Sequence, residues 1–72
     1  MLKRSITLKG HRTSISLERE FWDELVVIAA QENCTLPALI NQIDRNRLKL
    51  DPAPGLASAI RVYILNAKTR AD

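Results

Sequence analysis

A mainly α-helical chain with one short β-strand is the fold class that the sequence predicts, and three observations predict it. The run Arg12-Thr13-Ser14-Ile15-Ser16-Leu17 alternates polar and apolar residues at period two, as a half-buried strand does. Three later stretches carry apolar residues at the three-and-four spacing of an amphipathic helix. Between the second and third of them, Asp51-Pro52-Ala53-Pro54-Gly55 places two prolines and a glycine in five residues, which makes a connection.

Length and charge set the frame. A chain of 72 residues is at most one domain, and a domain this small buries only about 60% of its unfolded surface. Burial in an oligomer is a common remedy. One cysteine allows no intrachain disulfide, so a bridge-stapled secreted scaffold is excluded and a reducing, cytoplasmic setting is expected. No stretch approaches the apolar length of a membrane span or a signal peptide. Eleven Lys and Arg against eight Asp and Glu give a formal charge of +3, a value that ordinary solubility also produces. The distribution says more: Lys3, Arg4, Lys9 and Arg12 fall in the first twelve residues with no acid among them, a basic end suited to a polyanion.

The strand at 12–17 has an edge whose amides and carbonyls need mates. Two partners are open to it. Residues 4–8 alternate in the same way, with Ile6 and Leu8 on one side, and Lys9-Gly10 could fold them back. Lys-Gly, however, is not among the favoured two-residue turns such as Asn-Gly or Asp-Gly. The same strand of a second copy is therefore the expected mate, which leaves residues 1–10 as a basic arm or a weak extra strand.

The first helix is expected over 18–32. Ser16 is placed to cap it, and Glu18 and Glu20 put negative charge at the positive end of the dipole. Phe21, Leu25, Ile28 and Ala29 form its stripe, and Trp22, Val26 and Val27 widen it beyond the needs of a lone surface helix. Asn33 suits the left-handed position after a helix end. Cys34 is expected to be packed rather than reactive, and Thr35 is the cap of the second helix, with Leu36 and Pro37 in its first turn. That helix is expected over 36–49, with Leu39, Ile40 and Ile43 inward and Arg45, Arg47 and Lys49 at its cation-favouring end. Residues 50–55 connect it to a third helix over 56–69, striped by Leu56, Ala59, Ile60, Tyr63, Ile64 and Ala67. Val62 and Leu65 lie off that stripe, and Lys68 to Asp72 form a polar end expected to fray.

Strand, helix, Asn-containing connection, helix: this ordered set resembles the ribbon-helix-helix family of DNA-binding proteins. The resemblance extends to the variant in small alphaproteobacterial proteins, through His11-Arg12-Thr13-Ser14-Ile15-Ser16-Leu17-Glu18, Phe21-Trp22 and Leu56-Ala57-Ser58-Ala59-Ile60-Arg61-Val62. It implies a ribbon-helix-helix core over 11–49 and an intertwined homodimer with a two-stranded intermolecular antiparallel ribbon, plus a third helix. Such a ribbon enters the major groove of double-stranded DNA. Carried onto this chain, the resemblance implies base contacts from Arg12, Ser14 and Ser16 and phosphate contacts at Thr35 and Leu36. It also implies a dimer core containing Ile15 and Leu17, to which the helix patterns add Phe21, Trp22, Leu25, Leu39, Ile40 and Ile43. Lys3, Arg4 and Lys9 are expected to add phosphate attraction. Ser14 and Ser16 are shorter than the family's usual readers, so Arg12 carries the strongest base contact.

Transcriptional regulation by a DNA-binding dimer is thus the expected function, with a protein-interaction or antitoxin-like adaptor as the alternative. An enzyme is not expected and no cofactor is implied. His11 and Cys34 stand alone, Glu20 and Glu24 read as solvated helix charges, and no Gly-rich phosphate loop, zinc spacing or nucleophile elbow occurs.

Overall fold

The computed structural model describes residues 1–70. Its elements are β1 (Leu2–Leu8), β2 (His11–Leu17), α1 (Arg19–Gln31), α2 (Leu36–Arg47) and α3 (Leu56–Arg70). There are two strands, not one. They form an antiparallel hairpin with Leu8 opposite His11 and Leu2 opposite Leu17.

The expectation that β2 finds its mate only in a second copy is corrected here, because β1 pairs with it along its whole length. The turn residues Lys9 and Gly10 have φ of 51° and 82°, the left-handed pair that a two-residue hairpin turn with matching twist requires. Lysine is a poor choice for the first position. Contacts from α2 hold it there: the Lys9 N–H donates to Asn41 Oδ1 at 3.2 Å, and the Lys9 ammonium lies 4.0 Å from Asp44 Oδ2. Asn41 Nδ2 also donates to Thr7 O at 3.1 Å and to Pro37 O at 2.8 Å. One amide side chain therefore ties the hairpin tip to α2.

Helix ends follow local chemistry with one correction. Ser16 does not cap α1; β2 stays extended through Leu17 and keeps Ser16 exposed, so Glu18 is the N-cap and makes no side-chain capping bond. At the far end Asn33 has φ 55°, the Asn33 N–H donates to Ala30 O and the Cys34 N–H to Ala29 O. That pair of bonds is a Schellman closure, and it turns Cys34 half-buried against the core. The second helix ends at Arg47 rather than 49 because its last turn tightens: Lys49 N–H donates to Asn46 O and Leu50 N–H to Arg47 O. The polar end of α3 is helical to Arg70, while Ala71 and Asp72 lie outside the described residues.

One side of the hairpin and the inner faces of all three helices share a single core. Ile6, Leu8, Ile15 and Leu17 from the sheet meet Trp22, Leu25, Leu39, Ile40, Ile43, Ile60 and Ile64. Of the residues expected in a dimer core, Ile15, Leu17, Trp22, Leu25, Leu39, Ile40 and Ile43 are buried within one chain, and Phe21 is half-buried. No second copy is needed to cover them. The reason is α3, whose Ile60 and Ile64 close the side that two helices and a ribbon would leave open. Polar straps hold α3 against α1: Lys68 Nζ donates to Glu24 Oε1 at 3.0 Å and the Tyr63 hydroxyl to Glu32 Oε2 at 2.8 Å. Val26, Val27, Val62 and Leu65 remain about half exposed or more.

Candidate nucleic-acid interface

Cross-strand neighbours in an antiparallel pair point to the same face. With Ile6, Leu8, Ile15 and Leu17 turned to the core, the register puts Lys3 opposite Ser16, Ser5 opposite Ser14 and Thr7 opposite Arg12 on the other face. All six are exposed. The hairpin, residues 2–17, carries no acidic side chain, so the outward face is an uninterrupted plane of hydroxyls with one basic residue at each end.

The structure sorts the basic residues named from sequence. Lys3 and Arg12 share the outward face with Ser14 and Ser16. Arg4 does not, because it is opposite Ile15 on the core side and its guanidinium carbon lies 5.3 Å from the centre of the Trp22 ring, a cation–π distance. The Trp22 indole is fixed in turn, donating to Leu2 O at 2.9 Å. Lys9 sits at the turn, drawn towards buried Asp44. That carboxylate is also bonded by Arg47 Nε at 2.8 Å, while Arg47 Nη1 holds Pro54 O at 3.0 Å. Neither Asn41, Asp44 nor Arg4's packing was legible in the sequence; the only signal was two polar residues next to the α2 stripe.

Among the described residues the two edges of the hairpin differ at one backbone group, the Thr7 carbonyl. Beside a two-residue turn, Leu8 and His11 are a hydrogen-bonded pair, and alternation then aims the backbone amides and carbonyls of Arg12, Ser14 and Ser16 away from β1. By the same alternation Thr7 faces outward on β1, and Asn41 occupies its carbonyl. Among the described residues no hydrogen bond reaches the outward backbone groups of Arg12, Ser14 or Ser16. Beside this bare edge lies a cavity of about 410 Å³, lined by Leu8, Ile15, Ser14, Ser16, Leu56 and Ala57 among others.

At the start of α2, Thr35 Oγ1 accepts from the Ala38 N–H at 3.2 Å. Pro37 has no N–H, so Leu36 supplies the amide of the first turn still able to meet an anion. Glu18, at the junction of β2 and α1, has its carboxyl held below the usual range by its own backbone N–H and then by the Arg61 guanidinium. Among the described residues no group of three His, Cys, Asp or Glu side chains is placed to hold a metal ion, and no helix is long and apolar enough to cross a membrane.

A β-hairpin that runs into α1 and α2, with an acid-free exposed face on the strands and a capped start to α2, defines a ribbon-and-helix class of fold. The sequence profile of the Ribbon-helix-helix domain matches residues 1–67, and the chain belongs to that family. Its domains are generally DNA-binding transcriptional regulators or antitoxins, and they typically bind DNA as dimers without enzymatic activity. Nothing among curated proteins or solved structures matches the chain.

Proposed function

We propose that the protein regulates transcription as a homodimer that binds double-stranded DNA through the major groove. One coincidence carries this reading: on β2 the outward backbone groups of Arg12, Ser14 and Ser16 all lack hydrogen-bond partners among the described residues, and the same three residues present their side chains on the exposed face. Antiparallel pairing of two β2 edges about a two-fold axis satisfies the edge and doubles the reading row in one step. Arg12 is the side chain able to bond guanine in two places, and the two serines bring the ribbon close to base edges. Thr35 and the Leu36 amide hold a phosphate and Lys3 contributes general attraction, whereas Arg4, over Trp22, and Lys9, beside Asp44, are not on the outward face.

Selection of bound duplexes from a random pool, by wild type and by Arg12→Ala, tests the reading. An inverted-repeat preference that Arg12→Ala relaxes at symmetric positions is expected, with a loss of about 1 to 3 kcal/mol against the preferred site. No enrichment, together with no duplex binding at low salt, rejects it. The adaptor reading has one observation in its favour, an apolar groove of about 330 Å³ between α2 and α3, lined by Ile43, Leu50, Pro54, Val62 and Tyr63 among others. Under that reading DNA binding fails while the dimer persists.

A further inference from the structure

We infer that β1 is a phosphate clamp: the outward side chains of Lys3, Ser5 and Thr7 grip the two walls of the major groove while β2 reads between them. This rests on the dimeric DNA-binding reading above. The observation behind it is the hairpin register, which sets Lys3, Ser5 and Thr7 beside Ser16, Ser14 and Arg12 on one exposed face.

Geometry assigns the two rows different work. Pairing through the bare β2 edges produces a four-stranded sheet in the order β1, β2, β2 of the partner, β1 of the partner. With strands about 4.8 Å apart, the β2 axes lie roughly 2.4 Å from the two-fold axis and the β1 axes roughly 7 Å from it. The major groove is about 12 Å wide, so its walls stand roughly 6 Å from its midline. The central strands fit between the walls, and the outer strands come down on them.

The side chains on β1 suit that place. Serine and threonine hydroxyls are too short to reach the groove floor from its rim, but they donate readily to phosphate oxygens. Lys3 adds a long, mobile cation. The other two basic residues of this segment are engaged elsewhere, Arg4 over Trp22 on the opposite face and Lys9 near Asp44. Thr7 is also fixed in position, because Asn41 holds its carbonyl while its hydroxyl takes no part in that bond.

The test uses the full chain and the duplex that wild type enriches. Ser5→Ala, Thr7→Val and Lys3→Ala are each titrated against that duplex and an unrelated one at several salt concentrations, with Trp22 fluorescence confirming the fold. Ser5→Ala and Thr7→Val are expected to weaken binding to both duplexes equally, by roughly three- to tenfold. Lys3→Ala is expected to reduce the slope of log affinity against log salt by roughly two for the dimer. The sequence enriched from a random pool stays the same for all three. An altered enriched sequence would mean that β1 reads bases, and unchanged affinity and slope would take β1 off the DNA; either overturns the inference while the DNA-binding reading stands. If wild type binds no duplex at low salt, that reading fails and the inference falls with it.

Discussion

Arg61 on α3 grips Glu18 at the junction of β2 and α1, its Nε and Nη2 donating to the same carboxylate oxygen at 3.1 and 2.9 Å across 43 residues of sequence. The guanidinium also lies over Phe21, 5.6 Å from the ring centre. The third helix is thereby fastened to the point where the strand of the proposed reading face becomes helix.

Acid should loosen this fastening first. The folded Glu18 carboxyl titrates below its ordinary value, so its contribution is fully present above about pH 4.3 and is lost as pH falls through the folded value. Glu18→Gln should flatten the acid limb of the stability curve, as followed by denaturant unfolding at successive pH values. An unchanged acid limb would make the pair incidental.

At the alkaline end the reporter is Tyr63, the sole tyrosine. Burial, followed by the bond to Glu32, pushes its phenol from 10.0 up to about 12. A raised pKa means stability present below pH 10 and lost as pH climbs towards 12. Tyrosinate absorbance should show the late midpoint in the folded protein and the ordinary one in denaturant. Glu32→Gln should move the folded midpoint only part of the way down, because burial is the larger cause.

Leu17 is wholly buried at the end of β2. Leu17→Ala removes that packing and leaves a cavity, at a cost of about 2 to 5 kcal/mol, a large part of the stability of a domain this small. Equilibrium urea unfolding measures it. A shift within about half a kcal/mol would assign the wrong face of the strand to the core.

Asn41→Ala removes the bonds to the Lys9 N–H and to Thr7 O together. A loss of about 1 to 2 kcal/mol is expected, and hydrogen exchange should quicken in the hairpin before it does in α1. Uniform quickening would mean that Asn41 supports the whole fold rather than the turn.

Ser14→Pro addresses the dimer. The Ser14 N–H points away from β1, so proline should spare the hairpin while removing a donor from the open edge. Sedimentation equilibrium should give a dimer for wild type and a monomer for the variant, with the far-ultraviolet spectrum preserved. A wild-type monomer at micromolar concentration would end the two-fold reading.

Much of this molecule is a local matter, and its sequence determines those parts. Period-two alternation assigns Ile15 and Leu17 inward and Arg12, Ser14 and Ser16 outward, and the structure has this split because neighbouring side chains on a strand must take opposite faces. Asn33 and Thr35 announce the break between α1 and α2 through their own backbone and side-chain preferences. Tertiary structure alone decided the rest. Lys9-Gly10 looks like a weak turn from its own residues, yet it closes a hairpin because Asn41 and Asp44, more than 30 residues away in sequence, bond to it. The same distant packing set the Arg4 guanidinium over the Trp22 ring. It also placed Ile60 and Ile64 over the core that two helices alone would expose. Short-range pattern records which way a side chain faces, whereas the choice of strand partner depends on contacts that exist only once the helices are in place.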